Sequence, residues 1–158
     1  MDIRLHPRTA EHVRIYFEKT RDPEIQRMLP QKAQTVEEVL ADFEKTLLPT
    51  SSSFGQTIYA DGKYIGDIWC YCIDLDEDPH CMISYCIFDK SFWSKGCATE
   101  SVGMFIRNIR EKFGIRTIGA FTFSDNIASI CVLERNNFSM IEEFSEDGIL
   151  SRYFKYSV

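Results

Sequence analysis

Six consecutive residues, Ser94-Lys95-Gly96-Cys97-Ala98-Thr99, separate a β-rich run ending at Phe92-Trp93 from a stretch with helical patterning. A helix that opens on small residues leaves its first backbone N–H groups unpaired and approachable, and these groups, at the positive end of the helix dipole, bind anions. Phosphate recognition is therefore the first chemistry to expect, with Lys95 either a flexible extra charge or an ordinary solvated loop lysine. Cys97 sits at the same helix start, where a thiol can become a nucleophile. No histidine neighbours it in the sequence, and it reads as a packed small residue. A metal finds little support: the six cysteines, Cys70, Cys72, Cys81, Cys86, Cys97 and Cys131, include no C-x-x-C pair. Cys70 and Cys72, two apart on a strand, should share a face and be buried.

These residues need a scaffold, and the periodicity supplies one. Ala98, Val102, Phe105, Ile106, Ile109 and Phe113 recur at the spacing of one buried helix face, opposite Arg107, Arg110, Glu111 and Lys112. Gly114 should stop that helix in αL. Thr117 to Phe123 alternates as a strand, and Ser124-Asp125-Asn126 offers cap oxygens for a second helix from Ile127 to about Asn136. Strand, turn, helix, strand and capped helix make a βαβα unit with a right-handed crossover.

Upstream, Asp2 to Pro7 reads as a strand, and Thr9 caps a helix with Val13, Tyr16 and Phe17 inward and His12 solvated. Asp22-Pro23-Glu24 opens a short helix through Ile25, Met28 and Leu29. The capping box Thr35-Val36-Glu37-Glu38 opens another, burying Val39, Leu40, Phe43, Leu47 and Leu48. Phe54 to Ala60 and Lys63 to Asp74 flank Asp61-Gly62, a type I′ hairpin signal. Asp74 to Pro79 is an acidic loop, Cys81 to Phe88 pairs back antiparallel, and a last hairpin turns at Ser145-Glu146-Asp147-Gly148.

The 158 residues form a single expected domain, 1–158, large enough for a core without disulfides. A net charge of −6 argues against a nucleic-acid surface. The first residues, Met1-Asp2-Ile3-Arg4, have no apolar run behind them, and no stretch approaches the ~20 apolar residues of a membrane span, so the expected location is cytoplasmic. Edge strands and exposed aromatics are compatible with a homodimer.

Trp93-Ser94-Lys95-Gly96-Cys97-Ala98-Thr99-Glu100 resembles the acetyl-CoA pyrophosphate loop of the GNAT N-acetyltransferases, usually Q/R-x-x-G-x-G/A. Asn126-x-x-Ser129-x-x-x-Leu133-Glu134-Arg135-Asn136-Asn137-Phe138 resembles the second motif of that superfamily, N-x-x-S-x-x-x-x-E-K-x-G-F. Both forms look most like the ribosomal-protein N-terminal (RimJ/RimL-like) branch. The resemblance implies an α/β (α+β) fold: a mixed, mostly antiparallel central sheet, a splayed parallel pair formed by Cys81–Phe88 and Thr117–Phe123, and helices on both faces. It also implies transfer of an acetyl group from acetyl-CoA, as co-substrate and without a metal, to a primary amine of a small molecule or protein N-terminus.

By the same resemblance, the backbone of Trp93 to Thr99 holds the CoA diphosphate with help from Lys95. A strand amide near Cys86 to Phe88 faces the oxyanion, with Ile87 and Phe88 against the cofactor, Asn126 binds the pantetheine arm or the thioester region, and Ser129 hydrogen-bonds the sulfur. Leu133 stands where many members carry a tyrosine acid. The base is open among Glu142, Glu143 and Glu146, each otherwise a solvated charge, or a water chain. Tyr85, Tyr153 and Trp69 line the acceptor groove or belong to the core. Ser94 and Asn137 stand where the family usually has glycine; with Leu133, Ser94 motivates an alternative, a non-catalytic acyl-CoA-binding or regulatory domain of the same fold.

Overall fold

In the computed structural model, which describes residues 1–29 and 34–157, the chain runs β1 (Ile3–Pro7), α1 (Ala10–Lys19), α2 (Pro23–Met28), α3 (Val36–Thr46), β2 (Phe54–Ala60), β3 (Lys63–Asp74), β4 (His80–Ile87), a 3₁₀ turn (Lys90–Phe92), α4 (Cys97–Phe113), β5 (Thr117–Phe123), α5 (Ile127–Arg135), β6 (Ser139–Glu146) and β7 (Ile149–Ser157). The strands form one sheet in the order β1-β2-β3-β4-β5-β7-β6, antiparallel everywhere except β4 with β5. That parallel pair is joined only at His80, Cys81 and Met82, opposite Thr117, Ile118 and Gly119. Beyond Met82 the two strands part, as the resemblance implies.

Side-chain caps start the helices. Thr9, Asp22 and Thr35 each accept backbone N–H groups of the following turn, satisfying donors that would otherwise be orphaned. His12 is not a solvated residue: its Nδ1 accepts from the Thr9 amide at 3.1 Å and its Nε2 meets Tyr59 Oη at 2.8 Å. It closes the capping box that Glu38 closes for α3, and burial lowers its pKa. Leu47 and Leu48 also depart from the expected pattern. Helix α3 ends at Thr46, so both leucines fall outside its buried stripe and are exposed.

Register decides which residues face which layer. Phe54 stacks on Phe105 of α4, and Asn108 of α4 donates to Gln56, so Ile68, Cys70, Ile83, Tyr85 and Ile87, in register with that row, lie on the α4 face. Asp67, Trp69, Ser84 and Cys86 lie on the other face, where Trp69 meets Tyr16 of α1 edge-on. Helices therefore cover both faces, α1 on one, α4 and α5 on the other. The core between α4 and the sheet includes Ile65, Ile68, Val102, Phe105, Ile109, Ile118, Leu133 and Phe154. Cys72 departs from the expected shared face with Cys70: the β3–β4 register shifts after Tyr71, Cys72 takes φ 53°, and its side chain is exposed.

Two hairpins turn on paired positive-φ residues, Asp61-Gly62 and Asp147-Gly148, as the type I′ form requires. The second is tighter than the four-residue loop read from sequence, because Ser145 and Glu146 pair with Leu150 and Ile149. Gly66 has a different task. A Cβ there would lie 2.2 Å from the Cys86 carbonyl oxygen, so only glycine lets β3 approach the end of β4 this closely.

Candidate active site

At the end of β4 the chain leaves the sheet through the 3₁₀ turn and re-enters order at α4. The N-cap Gly96 has φ 80° and makes no side-chain cap. The first amide after the turn with a backbone acceptor is that of Glu100, bonded to the Gly96 carbonyl at 3.1 Å. Among the described residues, the amides of Ser94 to Thr99 donate to no protein group. Trp93 is the exception within the stretch read from sequence, because its amide is spent on the Lys90 carbonyl at 3.1 Å. Its indole anchors the turn instead, donating to the Ile87 carbonyl at 2.8 Å. The Lys95 ammonium lies 5.7 Å from the Phe92 ring and forms no ion pair among the described residues. The Cys97 thiol is packed beside Met1, and burial raises its pKa, which opposes a nucleophilic role.

Where β4 and β5 part, a cleft of about 370 Å³ opens, lined from the α4 face by Ile83, Tyr85, Ala120, Thr122, Asn126, Ser129 and Leu133. Phe88 donates its amide to Ile65 at 2.9 Å, closing the β3 side of the ladder. By the alternation of an antiparallel pair, the Ile87 amide points the other way, toward β5, with no β5 partner at that depth. Of the strand amides from Cys86 to Phe88 expected from sequence, Ile87 faces the gap, and Cys86 and Phe88, by the same alternation, face β3.

Asn126 caps α5 by accepting the Ser129 amide at 3.2 Å, which places both side chains at the cleft wall. Across the gap, Tyr85 Oη lies 2.9 Å from Ser129 Oγ. Burial pushes the Tyr85 hydroxyl up to about 12, with the Ser129 hydrogen bond pulling the other way, so Tyr85 stays a proton donor at neutral pH. Sequence reasoning left Tyr85 undecided between groove and core. Strand alternation puts it beside Ile83 and Ile87, but only the parting of β5 from β4 opens space in front of it. Leu133 is buried at the back of the cleft, so α5 supplies no phenol there.

The three candidate carboxylates separate cleanly. Glu143 receives Arg152 Nε at 3.0 Å and Ser124 Oγ at 3.0 Å, and the arginine holds its carboxyl below the usual range. Glu142 pairs across to Tyr153 outside the lining, while Glu146 lines the cleft. Tyr153 covers Gly119 from the α1 face, and Trp69 packs on Tyr16. Neither belongs to the lining residues. A group of three or more side chains able to hold a metal is absent among the described residues.

A helix N-terminus with six free amides at one end of a gap between parted parallel strands fits a diphosphate joined to a long arm. Residues 2–139 match the family model described as acetyltransferase (GNAT) domain. No curated protein matches the sequence. Among solved structures, the fold is similar to RimL, a ribosomal L7/L12 alpha-N-protein acetyltransferase in complex with coenzyme A, at TM-score 0.83 and 19% identity over 99% of this chain and 94% of that one. It is similar to the aminoglycoside acetyltransferase AAC(6')-Ib in complex with coenzyme A, at TM-score 0.81 and 16% identity over 99% and 95% of the two chains. The microcin C7 self-immunity acetyltransferase MccE, in complex with acetyl-CoA and AMP, gives TM-score 0.81 and 15% identity over 99% and 93%. With its glycine-started turn, its parted strand pair and a family match over most of its length, the chain belongs to the acetyltransferase (GNAT) domain family.

Proposed function

We propose that the chain moves an acetyl group from acetyl-CoA to a primary amine by direct attack within one ternary complex, using the amide-lined turn and the β4–β5 cleft as a single site. The observation that carries this is a set of three features around the parting of β4 from β5: free amides from Ser94 to Thr99 on the turn that follows β4, the outward Ile87 amide, and the hydroxyl pair Tyr85–Ser129 on the cleft wall. Acetyl-CoA, when bound, supplies an activated thioester. The turn amides and the dipole of α4 take the diphosphate, with Lys95 as an added charge. Asn126 and Thr122 flank the arm. The Ile87 amide donates to the carbonyl oxygen as negative charge develops on it.

The C–N bond forms first, giving a tetrahedral oxyanion whose collapse breaks the C–S bond, and two protons must move. Glu146 receives the proton leaving the amine, directly or through water. Ser129 gives its proton to the sulfur and is resupplied along the hydrogen bond from Tyr85, which regains a proton from solvent as Glu146 releases to solvent the one it took from the amine. Tyr85 thus fills from β4 the place that Leu133 leaves empty on α5. The non-catalytic alternative loses much of its motivation, since a hydroxyl donor is present.

Amine-dependent release of CoA thiol from acetyl-CoA tests the proposal. Turnover with at least one primary amine is expected. Binding of acetyl-CoA with no turnover across a broad amine series would favour a binding domain, and failure to bind acetyl-CoA would remove the reading.

A further inference from the structure

The cleft passes through the sheet, and its two mouths differ in chemistry. Strand register puts Phe121, Phe144, Glu146 and Tyr71 on the α1 face, and Met28 at the end of α2 and Leu29 just after it also line the cleft, whereas Tyr85, Ser129 and Asn126 open on the α4 face. We infer that the acceptor is a primary monoamine carried on an apolar or aromatic body, entering by the α1-face mouth. The inference rests on the acetyl-transfer reading above.

Apolar surface at that mouth is concentrated. Phe121 is 54% exposed, far above the core residues of the same strand, and its ring meets Phe144 edge-on at 5.8 Å with Tyr153 behind it at 5.1 Å. Two aromatic rings held against each other at the rim of an opening provide a preformed wall for an apolar group. Charge at the same mouth is sparse. Among the described residues that line the cleft, Glu146 is the sole carboxylate; Glu142, which register puts on the same face two residues before Phe144, lies outside the lining.

The acidic stretch Asp74–Asp78 does not change this count. It follows the end of β3 where Asp74 pairs with His80, the end at which β4 and β5 are still joined, and it does not line the cleft. Each ammonium group taken out of water needs a counter-charge or several hydrogen bonds, and one carboxylate serves one such group. A polycation would bring further charges against Phe121, Phe144, Met28 and Leu29, where the described lining offers no second carboxylate. A monoamine places its nitrogen near Glu146 and its body on the rings.

The experiment compares acetyl-CoA-dependent turnover by the intact chain with 2-phenylethylamine, a short peptide beginning with phenylalanine, spermidine and kanamycin. One of the two apolar amines should exceed both polycations in kcat/KM by about tenfold or more, the discrimination that a hydrophobic pocket gives. The two apolar arms distinguish a free amine from a peptide N-terminus. Phe121→Ala should raise KM for the favoured amine by about fivefold or more while KM for acetyl-CoA is unchanged, the pattern of lost acceptor binding. A preference for spermidine or kanamycin, or acetyl-CoA binding with no member of the panel acetylated, overturns the acceptor class and leaves the cofactor assignment standing. Absence of acetyl-CoA binding overturns both.

Discussion

Tyr85 and Ser129 face each other across the gap at 2.9 Å, and their exchange of a hydrogen bond decides what each does. With its hydroxyl raised to about 12 by burial, Tyr85 keeps its proton at neutral pH, and either hydroxyl of the pair can donate; when Tyr85 donates, the Ser129 proton is free to point into the cleft. Ser129→Ala should therefore lower kcat by about 100-fold, the scale of a lost general acid, with KM for acetyl-CoA little changed. Tyr85→Phe should cost about tenfold, and the double variant should be no slower than about twofold below Ser129→Ala, because residues acting in one chain are not additive. Steady-state kinetics of the three variants decide the matter; full additivity would make Tyr85 a packing residue. Ser129 and Asn126 were legible from their places in a motif. Tyr85 was not, since a strand tyrosine between two isoleucines has the same pattern whether its hydroxyl meets a core or a cleft.

Among the elements, the turn before α4 was the most legible, because glycine and small residues at a helix start have few other uses. Its cost was legible too: Ser94 occupies φ 61°, where an L-residue with a side chain is strained. Ser94→Gly should stabilise the fold by about 0.5–1 kcal/mol, the relief of αL strain less the added freedom of the unfolded glycine. Thermal unfolding measures it, and a lower midpoint for Ser94→Gly would show that Ser94 makes a compensating contact. Asn137, at φ 67°, adopts αL after α5 as its residue type permits. Less legible were the end of α3, where Leu47 and Leu48 continued the apolar period past the last helical turn, and the bulge that turned Cys72 outward. Periodicity records spacing and is blind to a one-residue shift in pairing.

Across the whole molecule, the α1 layer is fastened to the sheet by a buried polar cluster away from the cleft. Asp67, fully buried, lies 2.8 Å from Arg8 Nε, in ionic contact but poorly aligned for a hydrogen bond, and also receives the Tyr64 hydroxyl. Desolvation raises its pKa to about 6, against the pull of Arg8 and Tyr64. A carboxyl whose folded value exceeds its unfolded one binds its proton more tightly in the native state, so its contribution to stability grows as pH falls through about 6 and is lost as pH rises above it. His12, lowered by burial, acts in the opposite sense below its ordinary value, and a comparison of wild type with Asp67→Asn removes that contribution. Asp67→Asn should destabilise by on the order of 3 kcal/mol by stranding Arg8. Denaturant unfolding should show the deficit widening from pH 8 to pH 5; a constant deficit would mean that Asp67 titrates alike in both states.

By itself the sequence determined the helix starts, the type I′ turn at Asp61-Gly62, the amide-bearing turn at Gly96 and the motif that carries Asn126 and Ser129, because each depends on the conformational limits of residues close together in the chain. Only the tertiary structure decided that β5 leaves β4 after Met82, that Ile87 rather than Phe88 turns its amide into the gap, that Tyr85 meets Ser129, and that Glu146 alone of three similar glutamates reaches the cleft. Those outcomes depend on register and strand divergence between segments far apart in sequence, and no local preference encodes on which side of a sheet a side chain will find open space.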